Sequence, residues 1–261
     1  MRAAHTGPPT GAYLWGMRWP LGLALMSTLG VPDLSAPDPA PLANPAEELA
    51  FVRARARMVQ AQLRFRGIRD ERVLAALATV PRQAFVPAHL RARAYEDGPL
   101  PIGLGQTISQ PYIVAFMTEA LALQPGERVL EVGTGSGYQA AVLSDLVVEV
   151  WTLERVPELA ERARSQLAHL HCANVRVRCG DGFLGWPEGA PFDAILVTCA
   201  PEEVPPALVA QLREGGRMIL PLGPQGQAQQ LCLLRKGPNG LDVQAVMLVA
   251  FVPMVPGGPE P

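Results

Sequence analysis

Carboxylates and glycines are the residues of this chain whose types and spacing could do chemistry. Glu131 stands in Arg128-Val129-Leu130-Glu131-Val132, just before the run Gly133-Thr134-Gly135-Ser136-Gly137-Tyr138-Gln139. Glycines suit such a run because the chain must turn tightly there, and a side chain would hold a ligand off the backbone. The free N–H groups that start the next helix, with its dipole behind them, make a seat for a polar or anionic ligand. Glu154 follows Glu131 close to the ~20-residue offset at which an acid can accept hydrogen bonds from ribose hydroxyls. Asp181, in Gly180-Asp181-Gly182, is placed to meet an adenine amino group. Each acid alone reads as a solvated loop carboxylate, and the glycines alone as an ordinary strand-to-helix turn. Together they point to an adenosine-type ligand.

Such acids work together only if strands and helices bring them to one edge. Residues 128–132 read as a buried strand, and Ala140-Ala141-Val142-Leu143 as the helix after the glycines. The text then alternates: strand 147–153 ending at Glu154, helix 157–170, strand 175–178, strand 192–198, helix 205–212 and strand 215–221. Two more strand-like runs, 229–235 and 243–252, are joined by the turn Pro238-Asn239-Gly240. Alternating β and α units require a doubly wound, mainly parallel sheet of seven strands, and the closing hairpin adds antiparallel strands at one edge. In such a sheet, ligands sit at the carboxyl ends of the strands, near the point where strand order reverses.

Ahead of the sheet the text is helical. Pro45-Ala46-Glu47-Glu48 suits a first turn, Ala50 to Phe65 recurs at helical spacing, Gly67 ends that helix and Asp70 caps the next. Residues 80–87 read as an extended, proline-bounded connector. Residues 99–112 read as a long loop rich in glycine, proline and hydroxyls, leading into a helix over 113–123. The expected layout is a leader over 1–45, then one domain over 46–255 and a tail over 256–261. Within that domain, 46–98 form an N-terminal helical cap and 99–255 the cofactor-binding core. Ser109 near Pro111 reads, on its residues alone, as a helix cap.

The glycines are spaced Gly-x-Gly-x-Gly, with Tyr138 where a dinucleotide binder would have its third glycine. Glu131 would repel a pyrophosphate but could pair with the amino group of a sulfonium ligand, which favours S-adenosylmethionine over NAD. No P-loop Gly-Lys-Ser/Thr is present. The chain has 261 residues, 49% hydrophobic and 18% charged, with a net charge of −2, so nothing global argues for a nucleic-acid or membrane-surface partner. The four cysteines form no CxxC pair and read as free thiols. His169, His171 and Cys172 lack a second ligand pair and read as a helix terminus, with no metal site. In the leader, Arg18 precedes the short apolar run 19–31, the outline of a secretory signal that Pro20, Gly22 and Gly30 interrupt. The other reading is a disordered leader, or text upstream of the real start.

Gly105-Gln106-Thr107-Ile108-Ser109-Gln110-Pro111 together with Glu131-Val132-Gly133-Thr134-Gly135-Ser136-Gly137-Tyr138 resembles the protein-L-isoaspartate O-methyltransferase family. Val80-Pro81-Arg82 with Phe85-Val86-Pro87, Tyr95-Glu96-Asp97, Phe192-Asp193-Ala194-Ile195, Gly215-Gly216-Arg217 and Phe251-Val252-Pro253 extend the likeness over roughly residues 50–255. The proline-rich leader departs from it. The resemblance implies the S-adenosylmethionine-dependent methyltransferase fold and a repair enzyme that methylates the free carboxyl group of L-isoaspartyl residues in damaged proteins and peptides. It implies Ser109 as the active-site position, replacing the capping reading, with Thr107 and Gln110 shaping the same loop. Glu131, Gly133, Gly135, Glu154 and Asp181 would hold the cofactor. Residues 200–203 are expected to help close over a peptide.

A carboxylate is already nucleophilic at neutral pH, so the absence of a His/Asp or Cys/His constellation does not count against this chemistry. A cytosolic methyl donor places the enzyme in the cytoplasm, with export as the alternative that the leader leaves open; a monomer is expected. The rivals are a methyltransferase for another substrate, a non-catalytic nucleotide-binding module and, more distantly, an NAD-dependent oxidoreductase.

Overall fold

The computed structural model describes residues 44–257, so most of the expected leader and the last four residues lie outside it. Asn44 starts the first helix, α1 (Pro45–Met58), by accepting from the amides of Ala46 and Glu47 at 3.0 and 2.9 Å. Glu47 and Glu48 occupy its first turn, where acids face the positive end of the helix dipole. The helix does not stay regular. It widens into a π-helical turn, Val59–Arg64, in which the Phe65 amide reaches back to Gln60. The extra residue rotates the end of the helix, so Phe65, expected on the apolar stripe, is 87% exposed. Asp70 caps α2 (Glu71–Thr79) as expected, accepting from Arg72 and Val73.

Two expectations in the next stretch are corrected. Residues 80–87 are not fully extended, because Pro81 starts a 3-10 turn, Arg82–Phe85, and Pro87 starts a second, Ala88–Arg93. A fixed proline φ suits the first position of a turn as well as an extended run. Residues 99–112 are not a free loop either. They form an antiparallel hairpin, β1 (Leu100–Gly103) and β2 (Gln106–Ile108), which reverses through Gly103, Leu104 and Gly105 at positive φ. The next helix, α3 (Pro111–Ala120), starts two residues earlier than expected, with Pro111 in its first turn.

From there strands and helices alternate: β3 (Arg128–Val132), α4 (Tyr138–Ser144), β4 (Glu149–Glu154), α5 (Pro157–His169), β5 (Val175–Cys179), β6 (Phe192–Val197) and α6 (Pro206–Gln211). The chain closes with β7 (Leu212–Leu222), β8 (Gln229–Gly237) and β9 (Gly240–Val249). The seven strands lie in the order β5-β4-β3-β6-β7-β8-β9, parallel through β7 and antiparallel for β8 and β9. Both faces of the centre are covered. Val129, Ala194, Leu196 and Ile219 pack in a core with the N-terminal helices, while Leu130, Val132, Ile195, Val197 and Met218 pack on the opposite face. That is why these strands read as unbroken apolar runs rather than alternating ones. β3 has β4 on one side and β6 on the other, so strand order reverses there and a crevice opens beyond its carboxyl end. Among the described residues no helix is long and apolar enough to cross a membrane.

Candidate functional site

The glycine corner leaves the sheet at that reversal point. Gly133 has φ +98°, and a Cβ there would lie 2.2 Å from the Thr198 hydroxyl oxygen. That hydroxyl donates to the Gly133 carbonyl at 2.6 Å and the Val132 carbonyl at 3.1 Å, while the amides of Gly133 and Thr134 donate to Leu153. The ends of β3, β4 and β6 therefore hold the turn from both sides. α4 starts at Tyr138, directly after Gly137.

The acids surround this corner. Glu154 is 7% exposed. One of its oxygens accepts from the Gly135 amide at 2.8 Å and the other from the Val156 amide at 2.9 Å. Each oxygen keeps a further lone pair, so a diol could still be received. Glu131 is fully buried; Thr152 donates to its Oε2 at 2.6 Å, and Thr134 and Thr152 share a hydrogen bond at 2.6 Å. Its Oε1 has no hydrogen-bond partner among the described residues. Burial pushes the Glu131 carboxyl up to about 8; the Thr152 hydrogen bond works against that and the charge of Glu154 adds to it. Asp181 is half-buried and accepts from Phe183 and Gly257, both at 2.8 Å. Its loop packs on the end of β3, since a Cβ at Gly182 would lie 2.5 Å from Val132.

The hairpin brings the second set of residues. Ile102 of β1 reaches over the corner, and a Cβ at Gly135 would sit 3.6 Å from its Cδ1. Thr107 is exposed on β2, opposite Pro101. Ser109 comes next, half-buried; it does not cap α3, whose N-cap is Gln110 with no side-chain hydrogen bond. The Gln110 amide instead donates to Asp97 Oδ1 at 2.7 Å. Arg66 pairs with the same Asp97 at 3.1 Å and stacks on Tyr112 at 3.7 Å.

Glu131, Gly133, Gly135 and Glu154 are thus joined around one corner, Asp181 lies in the neighbouring loop, and the Ser109 hairpin leans on the corner through Ile102. Two buried acids with no ion-pair partner among the described residues, one with an oxygen unpaired there, suit a ligand carrying hydroxyls and positive charge. Reading the sequence missed Thr198, the hydroxyl that closes the corner; a threonine directly after the strand across the reversal point was the available signal. Arg82, whose guanidinium donates to the Ser109 carbonyl at 2.7 Å, carried no local signal of that contact.

The model of the family described as protein-L-isoaspartate(D-aspartate) O-methyltransferase matches residues 54–258. A relative named protein-L-isoaspartate O-methyltransferase, from Methylorubrum populi, is 57% identical over 204 residues, covering 78% of this chain and 96% of its own. One from Gloeobacter violaceus is 54% identical over 203 residues, covering 78% and 99%. A solved protein-L-isoaspartate O-methyltransferase is similar with a TM-score of 0.71 at 32% identity, over 76% of this chain and 65% of that one. A Plasmodium falciparum structure, described as a protein-L-isoaspartate O-methyltransferase in complex with S-adenosyl-L-homocysteine, gives 0.67 at 27% identity, over 77% and 98%. By sequence and by structure, the chain belongs to the protein-L-isoaspartate(D-aspartate) O-methyltransferase family.

Proposed function

We propose that this protein transfers a methyl group from S-adenosylmethionine to the free carboxyl group of L-isoaspartyl residues in damaged proteins and peptides, starting their return to normal aspartyl. The observation that supports the reading is the contact between hairpin and corner: Ile102, on the hairpin that leads into Ser109, lies 3.6 Å from where a Cβ at Gly135 would sit, and the Gly135 amide donates to Glu154. When bound, the cofactor supplies a methyl group already activated by its sulfonium. The chain's task is then alignment rather than proton transfer, a gain that correct orientation alone can make large. Ser109 would orient the substrate carboxylate by hydrogen bonding, with Thr107 and Gln110 shaping its loop. Glu154 would receive the ribose hydroxyls, Glu131 would face the positive end of the cofactor, and Asp181 would meet the adenine. The substrate carboxylate oxygen would take the methyl group, leaving S-adenosylhomocysteine, and the resulting ester could then close to a succinimide with loss of methanol. A cytoplasmic, monomeric enzyme, with a helical cap over 46–98 and a core over 99–255, completes the reading.

Transfer of labelled methyl to an L-isoaspartyl peptide, beside its normal aspartyl counterpart, tests it. Base-labile label on the isoaspartyl peptide alone is expected. Ser109→Ala should cut the rate about 10- to 100-fold, the loss of one hydrogen bond to a charged group. Cofactor binding without transfer to this peptide would overturn the substrate.

A further inference from the structure

Arg82 is fully buried, one of the largest side chains the fold encloses, and forms no ion pair with a described residue. Its Nε donates to the Ala94 carbonyl and its Nη2 to the Ser109 carbonyl, both at 2.7 Å. Its guanidinium carbon lies 4.9 Å from the centre of the Tyr138 ring, the first residue of α4 after the glycine corner. Arg82 Nη1 and the Tyr138 hydroxyl are buried and have no hydrogen-bond partner among the described residues. Stability does not call for such a residue, since a buried charge loses several kcal/mol of solvation and an apolar side chain of similar volume often serves as well.

What the guanidinium alone supplies is geometry: divergent donors in one plane and a face that stacks. Three separate segments converge on it. Ala94 leads into Tyr95-Glu96-Asp97, whose Asp97 holds Gln110; Ser109 ends the hairpin; Tyr138 anchors the cofactor corner.

We propose that Arg82 is a positioning residue that fixes the Ser109 peptide against the glycine corner and so aims the Ser109 hydroxyl at the reacting carboxylate. This rests on the proposed role of Ser109 in holding that carboxylate. Its test is a double-mutant cycle with Arg82→Lys and Ser109→Ala, read as kcat and KM on an L-isoaspartyl peptide and as S-adenosyl-L-homocysteine affinity by calorimetry.

Arg82→Lys keeps the charge and loses the fork. Its kcat should fall about 100-fold while affinity for S-adenosyl-L-homocysteine changes less than about threefold. Adding Ser109→Ala should then cost less than about twofold more, because the hydroxyl is already misplaced. A full Ser109→Ala penalty in the Arg82→Lys background would overturn the proposal, as would an unchanged kcat. If Arg82→Lys does not fold, Arg82→Gln takes its place, since its amide can still reach one carbonyl. Failure of both to give protein that binds S-adenosyl-L-homocysteine would make the role structural and end the proposal. Ser109→Ala with wild-type transfer would instead sink the reading of Ser109 itself, an outcome distinct from additivity.

Discussion

The glycine corner and the Ser109 hairpin meet at Ile102 and Gly135, yet they are built in opposite ways. The corner is one continuous stretch, β3 to α4, held by backbone hydrogen bonds to β4, by Glu154 and Thr152 of β4, and by the Thr198 hydroxyl just past β6. The hairpin is a short two-stranded ribbon, too small to be stable alone. It keeps its place by burying Leu100, Ile102 and Ile108 in the core and through polar side chains distant in sequence: Arg82 to Ser109, Gln110 to Asp97, Arg66 to Asp97. The part that would bind an invariant cofactor is set by the sheet. The part that would meet variable peptides also depends on removable polar clips, so damage to each should look different.

The largest expected effect is at the corner. Gly133→Ala places a Cβ against the Thr198 hydroxyl and puts a side chain at φ +98°. The backbone strain alone should cost about 1–3 kcal/mol. Calorimetry should find S-adenosyl-L-homocysteine binding lost, and urea unfolding an earlier midpoint. Wild-type binding would show that the corner is not the rigid partner in the comparison.

Glu131 gives a second effect, dependent on pH. The unfolded chain ionises this carboxyl near ~4, whereas burial holds it up to about 8 in the fold. Between those values the unfolded state has released a proton that the folded state keeps. Stability from this group is therefore complete below the lower value and lost as pH rises towards the upper one. Glu131→Gln should not show that loss, so its stability relative to wild type should rise from about pH 4 to about 8 and then level off. Parallel curves of stability against pH would contradict the buried-acid description.

The smallest effect belongs to a clip. Gln110→Ala removes an exposed hydrogen bond to Asp97, worth about 0.5–1.5 kcal/mol. A two- to threefold rise in the KM for peptide is expected, a conversion of roughly 0.5 kcal/mol, with calorimetric cofactor affinity unmoved. A change in cofactor affinity of the same size would erase the distinction between the two regions.

The sequence by itself determined the alternating strands and helices, the glycine corner and the acids at its edge. Each rests on short-range cues: apolar runs for strands buried on both faces, glycines where a side chain would collide, an acid at the end of a strand. Ser109 was legible only through its family resemblance, since on its own residues it reads as a cap, whereas in the fold Gln110 takes the N-cap position without a side-chain hydrogen bond. Tertiary structure alone decided the rest. The π turn that exposes Phe65, the hairpin over 100–108, Thr198 under Gly133 and Arg82 behind Ser109 all depend on groups brought together from distant parts of the chain. A buried arginine donating to a carbonyl 27 positions away leaves no period or spacing to read, because that contact exists only once the segments have packed.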